Sequence, residues 1–171
     1  MIYTIGHSTR SAEEFVELLQ VHGIRQLADI RRIPASRRHP QFVKETLAAT
    51  LAGSGIVYRH FPDLGGLRKP KTGSVNTALR NASFRGYADY MQTETFHNAL
   101  LDLLQFSELC TTALMCAEAV WWSCHRKLLS DILLVRDVQV RHILTTAAAK
   151  PHQLSEFARE TSGGVIYPGL L

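Results

Sequence analysis

Two thiols, a carboxylate, an imidazole and a guanidinium fall within eleven consecutive residues near the middle of the chain. The segment runs from Cys116 to Arg126 and reads Cys-Ala-Glu-Ala-Val-Trp-Trp-Ser-Cys-His-Arg. Thiolates are nucleophiles and ligands for soft metal ions, whereas imidazole and carboxylate groups transfer protons or bind metals. The segment is therefore the best candidate for an active site, with its reactive residues being Cys116, Glu118, Cys124 and His125.

Apolar sequence precedes this segment and a helical pattern follows it. Residues 111–116 predict a short buried strand, and residues 124–136 carry leucines at helical spacing. The reactive side chains thus fall at a crossover from strand to helix, where open α/β sheets bind ligands. We expect the N-terminus of this helix to lower the pKa of the Cys124 thiol or to hold an anion.

Short β-rich runs alternate with helical patterns along most of the chain. Strands are predicted over residues 2–5, 26–30, 56–60, 111–116 and 138–144, and helices over residues 12–21, 41–51, 84–106 and 124–136. These repeats indicate a three-layer α/β fold, with a mostly parallel sheet of about five strands flanked by helices. The 171 residues, of which 46% are hydrophobic, suit a single domain over residues 1–171.

Local signals refine this outline. The spacing of Ser11 and Glu14 predicts a capping box at the first helix, and Gly23 predicts its end. Residues 64–83 have weak periodicity and are expected to form either a mobile basic lid or a surface insertion without a function. Near the C-terminus, the sequence predicts a short helix around residues 153–159 and an extended segment over residues 165–167.

Polar residues follow several predicted strands. Because parallel strands place their C-terminal ends at one edge of a sheet, residues far apart in sequence are expected to meet there. We expect an anion to be bound through bidentate contacts by Arg31, Arg37 and Arg126. His7 would transfer a proton or bind a metal ion. We expect one concave site formed by His7, Arg31, Arg37, Cys116, Glu118 and Arg126.

Two chemistries are open for this site. In the first, Cys116 or Cys124 is a nucleophile, activated by a neighbouring histidine, by Arg126 or by the helix N-terminus. In the second, zinc or iron is held by Cys116, Cys124 and His125, with His7 or Glu118 completing the ligand set.

A metal ion sets a geometric condition on this pattern. Cys124 and His125 are adjacent and would point in different directions on a helix, so both can bind one ion only if the turn is irregular. Free cysteines are also common as small buried apolar residues, which is the interpretation we prefer for Cys110.

The residues and their order resemble the DUF488 family, a family of unknown function. The resemblance rests on blocks that span nearly the whole chain: Thr4-Ile-Gly-His-Ser8, Asp29-Ile-Arg31, Pro34-Ala-Ser-Arg37, Leu64-Gly-Gly66, Phe84-Arg-Gly-Tyr-Ala-Asp-Tyr90, Leu114-Met-Cys-Ala-Glu118, Cys124-His-Arg126 and Val140-Arg-His-Ile143. It implies no catalytic assignment. The chain departs from the family pattern at Ala119 to Ser123, where members look more polar and often carry proline.

Composition and missing motifs narrow the classes of function. The net charge of +4 favours anionic partners, and neither a dinucleotide-binding nor a Walker A glycine pattern occurs. Without a membrane-spanning apolar stretch or a signal peptide, and with three cysteines, the protein is expected to be cytoplasmic and reduced. We expect an enzyme-like protein acting on an anionic small molecule or a nucleotide-like group. A non-catalytic nucleic-acid-binding accessory protein is the alternative, and the oligomeric state is open.

Overall fold

A computed structural model of the chain describes residues 1–169. Its strands are β1 (Ile2–Gly6), β2 (Gln26–Asp29), β3 (Val57–His60), β4 (Thr112–Cys116), β5 (Val140–Ile143), β6 (Lys150–Pro151), β7 (Arg159–Thr161) and β8 (Gly164–Ile166). Its α-helices are α1 (Ala12–Val21), α2 (Lys44–Gly53), α3 (Ala82–Tyr90), α4 (Glu94–Leu109) and α5 (Arg126–Val135). Short 3-10 turns occur at Pro40–Phe42, Pro62–Leu64 and Trp121–Ser123.

Six of these strands form one sheet in the order β3-β2-β4-β1-β5-β6. The first five strands in this order are parallel, and the two-residue β6 adds an antiparallel edge. The predicted three-layer α/β fold with a mostly parallel sheet is confirmed. Strand β4 lies between β1 and β2, and the register places Gly6 beside Cys116 and Asp29 beside Met115.

The central strand β4 supplies side chains to both helical layers. All five of its residues are buried. Ala113 and Met115 pack in a cluster with residues of α1 and α2, whereas Leu114 and Cys116 pack with residues of α3, α4 and α5. This alternation follows from the period of two residues along a strand. Cys116 therefore faces the layer that contains α5.

The predicted ends of α1 are confirmed. The Ser11 hydroxyl accepts a hydrogen bond from the Glu14 backbone, and the Glu14 carboxylate accepts one from the Ser11 backbone, which completes the capping box. After His22, Gly23 adopts a φ of 65°. This left-handed conformation is one that glycine adopts readily, and it ends the helix.

Two helix predictions are wrong. The single helix expected over residues 84–106 is interrupted, because the Thr93 side chain accepts a hydrogen bond from the Phe96 backbone and caps a new helix, α4. The short helix expected at residues 153–159 is absent from the described residues. There the Asp131 carboxylate binds both the backbone N–H and the hydroxyl of Ser155, and the chain continues into the β7–β8 hairpin.

The loop over residues 64–83 is tied to α3 by one carboxylate. Asp89 is buried and accepts hydrogen bonds from the Lys71 backbone, the Ser74 hydroxyl and the Asn76 amide. Tyr87 adds a hydrogen bond from its hydroxyl to the Leu64 carbonyl. The loop is therefore attached to α3 at Leu64 and again between Lys71 and Asn76. Across residues 1–169, no helix is both long and apolar enough to cross a bilayer.

Candidate functional site

Three side chains of types that can bind a metal ion converge at the C-terminal end of β4. The Nδ1 atom of His125 lies 3.9 Å from the Cys116 sulfur and 3.6 Å from the Cys124 sulfur. All three donor atoms lie within 4.8 Å of one another. Both cysteines are buried, and His125 is half-buried. The segment that the sequence singles out thus forms a compact cluster of two thiols and one imidazole, which is called the Cys/His cluster below.

An irregular turn lets the adjacent Cys124 and His125 point at the same place. Cys124 has extended backbone angles (φ −127°, ψ 154°) and follows the 3-10 turn Trp121–Ser123. His125 has φ −57° and ψ −14° and precedes the first residue of α5, Arg126. The helix therefore begins two residues later than the sequence pattern predicts. This difference meets the condition that a shared metal ion places on the two side chains.

The orientation of the His125 ring is fixed by the end of the neighbouring strand. Its Nε2 lies 3.2 Å from the carbonyl oxygen of Ile30, the residue that follows β2. Because a carbonyl can only accept, Nε2 carries a proton, and Nδ1 is the ring nitrogen that faces the two sulfur atoms. The ring of Tyr87 packs beside it, with the ring centroids 5.0 Å apart.

Two glycines allow the chain to approach the site closely. A β-carbon at Gly66 would be 2.9 Å from Nδ1 of His125. A β-carbon at Gly6 would collide with the Glu118 carbonyl, because the chain that leaves β4 crosses directly over the end of β1. Both glycines belong to the sequence blocks that resemble the family. The fold was needed to show which atoms they approach.

The two buried thiols have different acidities. The pKa of Cys124 lies well below its ordinary value because it accepts a hydrogen bond from Cys116; burial opposes this, and His125 and Arg126 add to it. The pKa of Cys116 lies well above its ordinary value because it donates that hydrogen bond and is buried. The surroundings therefore favour the deprotonated form of Cys124 over that of Cys116. The lowered pKa of Cys124 agrees in direction with the prediction from the sequence.

The Cys/His cluster lines a cavity of about 280 Å³. A second cavity of about 450 Å³ lies beside it, toward the loop that follows β1. The two cavities share Arg31, Ile33, Ala117 and Glu118 in their walls and form one cleft. Its position at the C-terminal ends of β1, β2 and β4 is where parallel sheets bind ligands.

Arg31 is held in this shared wall by a buried carboxylate. Its Nε and Nη2 atoms donate to the two oxygens of Asp29 at 2.9 and 2.6 Å, and the Tyr58 hydroxyl donates to the same carboxylate at 2.6 Å. The side chain of Asp29 is fully buried, and Arg31 is 6% exposed. Bidentate pairing fixes the plane of the guanidinium. Its Nη1 lies 3.4 Å from Nε2 of His7.

His7 lies in the wall of the second cavity and is neutral. Its Nδ1 donates to the Ser8 carbonyl, and its ring stacks on Phe42 at 4.2 Å. Burial lowers its pKa to about 4, against the opposing effect of the Ser8 hydrogen bond. Nε2 is therefore unprotonated at neutral pH and faces Arg31. His7 is not a member of the Cys/His cluster.

A family model for the domain of unknown function DUF488 matches residues 11–133, more than half of the chain. The chain belongs to the DUF488 family. No curated protein and no solved structure matches it. In this DUF488 protein, the matched range contains the whole Cys/His cluster, Arg31 and Gly66, whereas Gly6 and His7 precede it.

The blocks of this DUF488 protein do not all contribute to the cleft. His7, Arg31, Cys116 and Glu118 line it, as does the half-buried His125. Arg37 is exposed and lines neither cavity, whereas Arg32 and Arg38 line one cavity each. The sequence alone did not distinguish these arginines, since side-chain direction in an irregular segment has no period.

Arg126 lies beneath the cleft rather than in it. It is 1% exposed, and its Nη2 donates to the carbonyl of Glu118. Its Nε is buried without a hydrogen-bond partner among the described residues. The guanidinium thus supports the backbone segment that joins Cys116 to Cys124 and places a positive charge near both sulfur atoms.

A buried chain of imidazoles supports the same segment from the other side. The ring of Trp121 stacks on His142 at 4.1 Å with an interplanar angle of 7°. Nε2 of His142 lies 3.0 Å from His152 Nδ1, and His152 Nε2 lies 3.0 Å from an Asp131 oxygen. This network could not be predicted from sequence, because its members lie on β5, α5 and the C-terminal segment and share no spacing.

Proposed function

We propose that the Cys/His cluster binds a zinc or iron ion, and that an anionic small molecule or a nucleotide-like group reacts beside this ion in the cleft. The observation that carries the proposal is the convergence of two buried sulfur atoms and one oriented imidazole nitrogen at the wall of a cavity. Thiolate and imidazole are ligands that zinc and iron prefer.

The distances between the donor atoms support this proposal. Zinc lies about 2.3 Å from sulfur and about 2.0–2.1 Å from nitrogen, so a tetrahedral site places sulfur and nitrogen about 3.6 Å apart. The two sulfur–nitrogen distances in the Cys/His cluster are 3.6 and 3.9 Å. The larger of the two exceeds the tetrahedral value by about 0.3 Å. The Ile30 carbonyl already selects the tautomer that such a site requires.

Three protein ligands beside a cavity are typical of catalytic rather than structural zinc sites, which use four. A bound ion of this kind polarises a substrate oxygen or activates a water molecule. The residues around it fit that chemistry. Glu118 lines both cavities and can accept a proton, and Arg31 presents a fixed positive charge between them.

A second candidate function is thiol catalysis without a metal ion. The lowered pKa of Cys124 supports it, because the hydrogen bond from Cys116 favours the thiolate form. That thiolate would attack an electrophilic centre of the substrate. The neutral thiol of Cys116 would be the nearby donor of a proton to the leaving group. Both candidates use the same residues and are separated by metal content.

The deciding experiment measures metal in the untagged protein by elemental analysis, together with binding of added Zn²⁺ to protein treated with a chelator. We expect close to one equivalent of tightly bound zinc or iron in the wild type. Cys116→Ser, Cys124→Ser and His125→Asn should each lose most of it, since every substitution removes one of three ligands. Cys110→Ser is the matched control, because Cys110 is an exposed free cysteine away from the cluster.

The outcome also decides between the two candidates. Wild-type protein that binds no ion, and in which an alkylating reagent modifies Cys124 rapidly at neutral pH, would replace the metal proposal with thiol catalysis. Equal metal content in the wild type and in the three cluster variants would refute the proposed ligand set. A reducing compartment suits either chemistry, since all three cysteines are free, and we propose the cytoplasm.

A further inference from the structure

The two cavities of the cleft have walls of different chemistry. Apart from the Cys/His cluster, the first cavity is lined chiefly by apolar side chains, among them Ile33, Leu67, Phe84 and Tyr87. The second also contains alanines and the shared Ile33, but it adds hydroxyl, imidazole and guanidinium groups from Ser8, Thr9, Ser36, His39 and Arg38. A ligand that spans the shared wall would meet apolar surface on one side and donors on the other.

The second cavity is built to receive a negative charge. Two of the three guanidinium nitrogens of Arg31 are bound to Asp29, which leaves Nη1 toward the cleft with a long contact to His7. Arg38 and three hydroxyl groups stand around the same space. Among the described residues that line it, Glu118 is the one carboxylate, and it is exposed in the shared wall. Asp29 is shielded behind Arg31.

The first cavity presents apolar side chains at its opening. Ile33 and Leu67 are 65% and 71% exposed, although both are large aliphatic residues. Leu67 also has a φ of 61°, a conformation that is unfavourable for leucine, and the guanidinium of Arg32 donates to its carbonyl at 3.1 Å. Backbone strain of this kind is concentrated at ligand-binding positions. An apolar group bound here would remove both side chains from water.

We infer that the cleft binds an organic phosphate or phosphonate, with the charged group in the second cavity and an apolar body of about the size of a phenyl ring in the first. The inference rests on the proposed function in one respect: it places the linkage between these two parts beside the ion. The size fits, because a cavity of about 150 Å³ already holds benzene, and the first cavity measures about 280 Å³.

Calorimetric titration with two probes tests this inference. Phenylphosphonate and methylphosphonate carry the same charged group and differ in the apolar body. We expect the phenyl compound to bind at least tenfold more tightly, which corresponds to burial of about 60 Å² of apolar surface. Arg38→Gln should weaken both probes by about tenfold, because a charge-assisted hydrogen bond is lost. Leu67→Ser should weaken the phenyl compound alone, because Leu67 lines the first cavity and not the second.

Two positions outside both cavities supply matched controls. Arg37→Gln removes the same charge one residue away, outside both cavities, and should leave both affinities unchanged. Val75→Ser removes an apolar side chain of similar exposure that lines neither cavity. Equal affinities for the two probes, or equal effects of the Arg37 and Arg38 substitutions, would overturn the inference.

The metal content of each sample keeps the two proposals separate. If the protein holds its metal ion and binds neither phosphonate, the amphipathic anion is refuted and the metal site stands. If the protein holds no ion and the probes still follow the expected pattern, the metal proposal fails and the two-part cleft stands.

Discussion

The backbone of Gly66 lies against the imidazole of His125, so closely that a β-carbon at residue 66 would be 2.9 Å from Nδ1. This nitrogen faces the sulfur atoms of Cys116 and Cys124 and is the proposed metal ligand of His125. The fixed loop over residues 64–83 therefore reaches the ligand atom of the candidate site directly. The contact explains the glycine at residue 66, and the close approach of Arg32 to residue 65 explains the other glycine of the pair.

Gly66→Ala is the first test of this relationship. The added methyl group should displace the His125 ring and lower the affinity for Zn²⁺ by tenfold or more, while the fold is retained. Zinc titration against a competing chelator gives the affinity, and circular dichroism checks the fold. Gly53→Ala is the control, because nothing lies within 4 Å of a β-carbon there and alanine favours a helix. Unchanged zinc affinity in the Gly66 variant would contradict the prediction.

The three cysteines should react with thiol reagents at different rates. Cys110 is exposed, whereas Cys116 and Cys124 are buried and, in the proposal, bound to a metal ion. We expect one thiol to react rapidly in the native protein and two more to react after treatment with a chelator. The Cys110→Ser variant should lose the rapid phase alone. Three rapid thiols in the native protein, with or without chelator, would mean that the pair is neither protected nor bound.

The carboxylate behind Arg31 should matter more for stability than an ion pair on the surface. Asp29→Asn leaves a buried guanidinium without its counter-charge and should lower the free energy of unfolding by about 3–5 kcal/mol. Tyr58→Phe removes one hydrogen bond to the same carboxylate and should cost about 2 kcal/mol. Urea unfolding measures both. The control Asp102→Asn removes the half-exposed ion pair with Arg59 and should lower the free energy of unfolding by about 1 kcal/mol or less. Equal losses in all three variants would refute this order.

Two buried histidines should make the protein less stable in mild acid. Burial is the first cause that lowers the pKa of His7 to about 4 and that of His142 to about 3. An unfolded histidine takes up its proton near pH 6.5, so below that pH the unfolded state holds more protons than the folded state. The stabilisation is complete above about pH 6.5 and is lost as the pH falls toward 4.

Each histidine should add up to about 1.4 kcal/mol per pH unit to this dependence. In the His7→Asn variant, the free energy of unfolding should therefore change less between pH 7 and pH 5 than in the wild type. His22→Asn, a partly exposed position, serves as the control. An identical pH dependence in the wild type and the His7 variant would show that His7 is not buried as a neutral group.

The two adjacent tryptophans should differ in their effect on stability. Trp121 stacks on His142 and closes the buried imidazole chain, whereas Trp122 is 51% exposed. Trp121→Ala should therefore lower the free energy of unfolding by about 2 kcal/mol or more, and Trp122→Ala should change it by about 0.5 kcal/mol or less. Thermal unfolding of the two variants measures the difference. A larger loss for Trp122 would contradict the stacked arrangement.

Much of the fold could be predicted because it depends on local patterns. The alternation of strands and helices, the Ser11 capping box and the left-handed Gly23 follow from spacing within a few residues. The break at Thr93 was missed because the apolar period continues across it. The Gln153 region was missed because Asp131, more than twenty residues earlier, determines its course.

The candidate site could also be predicted only in part from the sequence. Cys116, Cys124 and His125 could be identified from their residue types, since few other segments concentrate such groups. The irregular turn that aims Cys124 and His125 at one point could not, because it depends on where α5 begins. The choice among the arginines likewise required the structure. Arg126 looks like an anion ligand in sequence, yet it supports the loop from below.

The strand order carries a consequence for folding during synthesis. Strands β1 and β2 do not pair with each other, since β4 lies between them and begins only at Thr112. The ribosome must therefore release more than a hundred residues before the centre of the sheet can close. Contacts between such distant segments slow folding and leave apolar surface open to aggregation meanwhile. We expect the emerging chain to depend on chaperones until β4 inserts, which is also the moment when the cysteine of β4 first meets the loops around it.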